Sequence, residues 1–522
     1  MHGPPGESRK SRTNAPLYLA WTTFAVLTGV VLLGILVKTS GHFVYSLDDP
    51  YIHLALARRI AQGHYGLNAG EFSSPSSSVL WPFLLAPFAT QAHADWLPLI
   101  VNLVCACALL FVFDRIVADA LDASGRRLGL AAHSLLLLSF LVGTNLVGLV
   151  FLGLEHVLQA LTLAVIAAGL LRELTRRTAP GWLILTLVLT PLIRYDDLPI
   201  ALLASAWLFA RGHRARASLA LAGALAGLAA FSGFLVHLGL PALPGSVLLK
   251  LASDAPGSPL ARLAGNLRTS LTHPAGLALL AVAIWLLRLA WLRRSELGLR
   301  RLAVLGAVAI GVHLVTGRYG WFHRYEMYIV CFSWCLATGL RLRDAAPLRS
   351  RRFEALAFAA MWALTVPMYG WDLRRIPGAS SDIFSQQGQM ARFASSGVLG
   401  PVAVNDIGLV AFRRDGYVLD MWGLASSEAF HARLASRDSS WMASLTRRHD
   451  VGLVMLYESW FATVPPSWQK LGELRLTATP TIVSSDRVSF FATTPAAAQQ
   501  LAPALRDFAR SLPGSATFVA VE

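Results

Sequence analysis

Long apolar runs alternate with short polar joints over the first 371 residues. The first run, 17–37, is long enough to cross a bilayer. Similar runs follow at 96–118, 128–141, 154–171, 182–193, 198–210, 218–238, 275–291, 302–315, 327–340 and 353–369. The pattern predicts about eleven transmembrane helices, several of them short. Between the first two runs, "DDPYIHLALARRIAQGHY" places Ile52, Leu56 and Ile60 on one stripe and Arg58, Arg59 and Gln62 elsewhere. That is a helix lying at the membrane surface. Residues 79–89, broken by Pro82 and Pro87, predict a second juxtamembrane helix.

From 372 onward no run is long enough to span. "VAVN", "YVLDMWG", "VGLVMLY" and "RVSFFATT" are strand-like, and 426–435 is helix-like. The expected fold class is an α-helical polytopic membrane domain, 1–371, with a first outer loop at 38–95. A soluble α/β domain, 372–522, follows it.

Charge fixes the sidedness. Arg9, Lys10 and Arg12 precede the first run, and Arg clusters recur after alternate spans: Arg126 and Arg127, "RELTRR", "RGHRAR", Arg293 with Arg294, and "RLRDAAPLRSRR". Such clusters stay in the cytoplasm. The N-terminus is therefore expected inside and the C-terminal domain outside, which for a bacterial inner membrane means the periplasm. The run 17–37 lacks a small-residue cleavage site and is expected to be retained.

Composition agrees. The chain is 55% hydrophobic and 14% charged, against about 25% in soluble chains. The net charge of +15 sits largely in those Arg joints and not in a recognition module, so nucleic acid is excluded as a partner. Cys105, Cys107, Cys331 and Cys335 all lie in apolar runs, as small buried hydrophobes do. No "GxxxxGK" loop and no Rossmann fingerprint opens the chain.

Orientation by Arg clusters alone gathers most remaining polar residues on the outer side. These include Asp48, Asp49, Asn68, Glu71, Glu155, His156, Arg194, Tyr195, Asp196, Asp197, Lys250, Arg318, His323 and Arg324. Charges at membrane depth are costly and mark functional candidates. Plainer roles compete: Asp48 and Asp49 as a helix cap, Arg194 with Asp196 and Asp197 as a local ion pair, Lys250 as a solvated loop residue. His53, His64, His156 and His323 show no metal-ligand spacing and are expected to be interfacial. Core packing is expected for Trp422, Trp441, Trp460 and Trp468.

The stretch "LDDPYIHLALARRIAQGHYGLNAGE…SSPSSSVLWPFLLAP" resembles the first outer loop of polytopic GT-C glycosyltransferases. These include protein O-mannosyltransferases, lipid A aminoarabinose transferases and mycobacterial terminal arabinofuranosyltransferases, the last being the most similar. "GLEHVLQALTLA", "LIRYDD", "LPGSVLLK", "RYGWFHRY" and "NDIGLVAFRRDGYVLDMWGL" extend the resemblance over most of the chain. It implies transfer of a single sugar, by inversion, from a polyprenyl-phosphate carrier to an acceptor hydroxyl. Asp48 or Asp49 would be the general base. Asp48 is preferred, with Asp49 orienting it or holding a divalent cation such as Mg, Mn or Ca; the sequence does not require the metal. Arg194, Lys250, Arg318 and Arg324 would meet the donor phosphate. Asn68, Glu71, Glu155, Asp196 and Asp197 would hold sugar or acceptor hydroxyls. Arabinofuranose is the sugar favoured by resemblance. The acceptor is a cell-envelope glycan, lipid or surface protein. Ser246 and the serine-rich "SSPSSSVLW" depart from the family pattern and leave the sugar open. The rival expectations are an oligosaccharide ligase or polymerase, a transporter or flippase, and an inactive scaffold. A transporter would show internal repeats and charges at the midplane, and the sequence shows neither.

Overall fold

The computed structural model describes residues 13–253, 259–344, 351–436 and 438–521. Arg9, Lys10 and Arg12 lie outside the described residues, as do residues 345–350 of the last Arg cluster.

Each of the eleven apolar runs coincides with a helix. These are Ala15–Lys38, Leu97–Ser124, Leu130–Gly143, His156–Arg176, Gly181–Ile193, Leu198–Ala210, Arg214–His237, Pro274–Leu292, Leu297–Thr316, Met327–Arg343 and Arg351–Ser385. Among the described residues, six helices are long and apolar enough to cross a membrane; Leu130–Gly143 and Gly181–Ile193 are apolar but shorter. The first helix is apolar all round. Its Phe24, Val31 and Ile35 are buried while Val26, Val30 and Leu33 are exposed, as expected of a helix facing lipid. Leu97–Ser124 stops at Gly125, whose φ of +64° suits a residue without a Cβ. Gly181–Ile193 carries Pro191 and ends where Arg194 turns extended; Tyr195–Asp197 then makes one 3₁₀ turn before Pro199 starts the next helix. That sharp reversal sets Arg194 at a helix end, aimed away from lipid.

The two juxtamembrane helices are also present, at Asp49–Ala61 and Leu80–Leu85. The boundary expected between 371 and 372 falls inside one helix. Arg351–Ser385 continues past it, with Pro367 and Pro377 in its interior, and joins the membrane domain to the C-terminal domain.

The C-terminal domain holds a six-stranded mixed sheet of order β2-β1-β3-β5-β4-β6. Its strands are β1 Val402–Val404, β2 Val418–Asp420, β3 Leu453–Leu456, β4 Gln469–Leu476, β5 Arg487–Ala492 and β6 Ala516–Ala520. β1 runs parallel to β2 and β3, pairing Val402 with Val418 and with Leu453. The other pairings are antiparallel. β1, β2 and β3 are buried along their whole length, as parallel strands covered on both faces are. The helix Gly408–Arg413, between β1 and β2, packs on Asp49–Ala61. The approach is close enough that a Cβ at Gly408 would overlap the Asp48 backbone oxygen. The sheet thus sits directly on the segment that follows the first helix.

Candidate active site

Three carboxyl ends of parallel strands point at the membrane domain. Asn405 and Asp406 follow β1, Asp420 ends β2 with Trp422 just beyond, and Trp460 follows β3. In open α/β sheets such ends are where ligands bind. Here they roof a cavity of about 420 Å³. Its floor and walls come from the membrane domain: Asp48, Asp49, His53, Glu155, His156, Arg194, Lys250, Arg318, Arg324 and Tyr325. Residues far apart in sequence, and expected only to share one side, therefore share one cavity.

Asp49 opens the helix Asp49–Ala61, and its side chain is 42% exposed to the cavity. Arg324 Nη1 donates to its Oδ2 at 2.6 Å. Burial pushes the Asp49 carboxyl up, but Arg324, with His53 and Lys250, overrides this and holds it below the usual aspartate range. Asp49 is therefore ionised at neutral pH. The Arg324 guanidinium also covers the Tyr325 ring at 4.9 Å, and Lys250 Nζ lies 5.6 Å from the same ring.

Asp48 has a different environment. It is buried, and its two oxygens accept the backbone N–H groups of Gly408 at 2.6 Å and Leu409 at 2.8 Å. It thus caps a helix of the C-terminal domain as well as preceding its own. Burial, and then the nearby Asp406 carboxylate, raise its pKa well above the ordinary value. Asp406 is itself raised by burial, to about 6, while accepting from Gln387 Nε2 at 2.7 Å. The two carboxyls hold a proton between them at mildly acidic pH. A folded-state pKa above the ordinary 3.8 means that folding takes up a proton between about pH 4 and about pH 6. Stability is then lost as pH rises through that window. Asp406→Asn is expected to raise the Tm by a few degrees at pH 7 and to flatten its dependence on pH between 4 and 7, followed by thermal unfolding in detergent.

Arg194 lies between two elements. Its Nη1 donates to Glu155 Oε1 at 2.7 Å and sits 3.2 Å from His156 Nε2, while Nη2 donates to Asp196 Oδ2 at 2.7 Å. Glu155 is 1% exposed and Arg194 6%. Arg318 donates to the Lys250 carbonyl at 3.0 Å, tying two cavity walls together.

Not all expected residues reach the cavity. Asn68 and Glu71 dock the loop between the two juxtamembrane helices to β2 instead. Asn68 Nδ2 donates to the Val418 carbonyl at 3.0 Å and Asn68 Oδ1 accepts from Val418 N at 2.9 Å; Tyr417 donates to Glu71 at 2.8 Å. Asn68→Ala would leave both buried Val418 groups unpaired and is expected to cost about 1–3 kcal/mol, read as a lower Tm. Asp197 is buried away from the cavity and accepts from Gln159 and Thr190, both at 2.7 Å. Asp196, half-exposed, reaches the cavity only through Arg194. The tryptophans divide: Trp468 and Trp441 pack in the domain core, whereas Trp422 and Trp460 line the cavity with rings 4.7 Å apart. The groups that lower the Asp49 carboxyl are Arg324, His53 and Lys250, and Asp406 lies near enough to feel its charge. Among the described residues, His273, His323 and Glu326 are the group with metal-ligand geometry.

Comparison with known proteins adds the following. A family model described as "Domain of unknown function (DUF8728)" matches residues 381–491. This segment contains Asn405, Asp406, Asp420, Trp422 and Trp460. No curated protein matches the chain. The fold is similar to the Archaeoglobus fulgidus oligosaccharyltransferase in its apo form, with 9% identity, TM-score 0.49, and coverage of 98% of this chain and 76% of that one. It is similar to AglB from the same organism in complex with an inhibitory peptide and a dolichol-phosphate, with 10% identity, TM-score 0.45, and 97% and 76% coverage. It is also similar to ArnT from Cupriavidus metallidurans bound to undecaprenyl phosphate, with 12% identity, TM-score 0.40, and 93% and 99% coverage.

Sequence reasoning missed Asn405, Asp406 and Asp420. The local signal was present: each polar group directly follows or ends an apolar strand run, "VAVND" and "YVLD". Asp420 acts through the backbone, accepting from Trp422 N at 2.9 Å and Ala425 N at 2.6 Å, and so fixes the loop that presents Trp422.

Proposed function

We propose that this protein is a membrane glycosyltransferase of GT-C type, moving one sugar from a polyprenyl-phosphate carrier to an acceptor hydroxyl with inversion. One observation carries the reading. An ionised, accessible carboxylate, Asp49, shares one cavity with Arg194, Lys250, Arg318 and Arg324, where the membrane helices meet the C-terminal domain. A lipid-linked phosphate can reach such a junction from the bilayer while an acceptor enters from water.

The acceptor oxygen attacks the anomeric carbon, and Asp49 takes its proton. The bond from that carbon to the phosphate oxygen breaks, and the electron pair leaves on the polyprenyl phosphate. Preplaced cations stabilise the charge as it develops. In this reading the base is Asp49 and not Asp48, which is supported by the backbone donors that already hold both Asp48 oxygens. Trp422 and Trp460 offer aromatic faces to the sugar or acceptor. Sequence resemblance favours arabinofuranose, a bacterial inner membrane and a periplasmic C-terminal domain.

The protein in lipid nanodiscs is expected to consume one member of a panel of polyprenyl-phosphate pentoses and hexoses and to release polyprenyl phosphate, detected by mass spectrometry. Consumption of a pyrophosphate-linked oligosaccharide instead would make it a ligase. No consumption of any lipid-linked sugar would overturn the reading.

A further inference from the structure

A second polar cluster lies outside the cavity chemistry. His273 caps the helix Pro274–Leu292, and His323 lies in the loop before Met327–Arg343, whose N-cap is Glu326. His323 and Glu326 are buried, and one ligand-type atom from each of the three residues lies within 4.8 Å of the others.

The hydrogen bonding around His323 is incomplete without a cation. Its Nε2 faces Asp372 Oδ2 at 3.2 Å, and its Nδ1 faces Glu326 Oε1 at 2.6 Å. If Nε2–H donates to Asp372, the Nδ1 lone pair points at a carboxylate oxygen. Two lone pairs at that distance need a proton or a metal ion between them. Glu326 Oε2 is also buried and has no partner among the described residues. His273 brings one more lone pair, used only by a long cap bond from Ala275 N at 3.3 Å. A proton satisfies the first of these needs; a metal satisfies the first two and takes the His273 lone pair at the cost of its long cap bond.

We propose that His273, His323 and Glu326 hold a zinc ion as its three protein ligands, the fourth position being left to solvent, with Asp372 orienting His323 from behind. Two imidazoles and a carboxylate are a zinc donor set, and a metal-bound histidine that gives its other N–H to a carboxylate is the usual supporting arrangement. Tetrahedral zinc, at roughly 2.0–2.2 Å from each donor, would need only a small closing movement of His273 and a slight opening of the His323–Glu326 contact. Tyr319 stacks on His273 at 4.5 Å and Tyr369 meets His323 edge-on at 5.4 Å, holding both rings in place.

The ion would serve the loop. Trp321, Phe322 and His323 have φ of +51°, +59° and +59°, a left-handed run in which the Cβ crowds the following carbonyl oxygen. The next residue is Arg324, which reaches Asp49. A zinc ion at the end of the run would hold a strained turn that aims a cavity cation. This site stands whether or not the cavity transfers sugar.

The full chain, purified in detergent, loaded with zinc sulfate and desalted, is expected to retain about one zinc per chain by elemental mass spectrometry, with imidazole ligation in its X-ray absorption spectrum. His273→Ala and Glu326→Gln are expected to lose at least nine-tenths of it. Asp372→Asn should weaken binding roughly 10–100-fold. Asp49→Asn should keep it. Monodispersity on gel filtration checks folding; should one variant aggregate, the other variant and the parent spectrum still decide. A parent without zinc would mean that a proton alone fills the contact, and would sink the proposal. So would full retention by His273→Ala and Glu326→Gln, or loss confined to Asp49→Asn.

Discussion

Asp49→Asn is expected to reduce sugar transfer by roughly 10²–10⁴-fold, the usual contribution of a positioned general base. The lipid donor should still bind. Removing the Asp49 charge leaves Arg324 without its counter-charge, so affinity for a phosphate should hold or rise. The deficit should therefore lie in kcat and not in the donor KM. Asp48→Asn is expected to behave differently. Its oxygens hold Gly408 N and Leu409 N, and an amide offers one acceptor where the carboxylate offers two. Its main effect should be a lower Tm, with a smaller loss of rate. The pH profile separates the candidates further. A base must be deprotonated, so activity falls as pH drops through its pKa. With Asp49 held below the aspartate range by Arg324, its acid limb lies below pH 4 and escapes a scan from 5 to 8. An acid limb near pH 6 would instead identify the Asp48–Asp406 pair as the base. Parental rates in Asp49→Asn would remove Asp49 from the chemistry.

What the sequence revealed about this site follows from the cost of charge near lipid. Asp49, Glu155, Arg194, Lys250, Arg318 and Arg324 stand out because they interrupt apolar surroundings, and Arg clusters decide their side. Asn68, Glu71 and Asp197 stand out for the same reason, yet they hold backbone and neighbouring side chains. Local polarity does not distinguish a docking residue from a binding one. The C-terminal contributions were hidden for another reason. Asp406 and Asp420 reach the cavity because β1 and β2 lie side by side, in parallel, with their carboxyl ends toward the membrane domain. That order is a long-range property which period-two patterning does not carry. The strands themselves divide the same way. β1, β2, β3 and β5 are apolar runs and were legible. β4, "QKLGELRL", and the largely exposed β6, "ATFVA", carry too little apolar signal to be found alone. The expected 371/372 boundary lies within one helix, because composition changes there while the helix does not. His273 and His323 were passed over because ligand spacing along the chain cannot report a site assembled from two separate loops.

Arg194→Met is expected to cost about 3–5 kcal/mol, because it strands a buried carboxylate. Glu155 is 1% exposed, and Arg194 is the one side-chain hydrogen-bond donor to its carboxylate among the described residues; His53 Nε2 is 3.8 Å from the other oxygen. With the guanidinium gone, Glu155 must either stay charged without a partner or take up a proton, and both cost stability. Loss of activity in this variant alone would therefore say nothing about phosphate binding. The double variant Arg194→Met/Glu155→Gln removes both charges and is expected to recover most of the Tm, since replacing a buried pair together is far cheaper than breaking it. If Arg194 also meets the donor phosphate, turnover should stay low in this refolded background, with a raised KM for the lipid donor. If turnover returns with the Tm, Arg194 only supports Glu155, and the leaving phosphate is left to Lys250, Arg318 and Arg324. An undiminished Tm in Arg194→Met would show that Glu155 finds its counter-charge elsewhere, and the buried-pair account would fail with it.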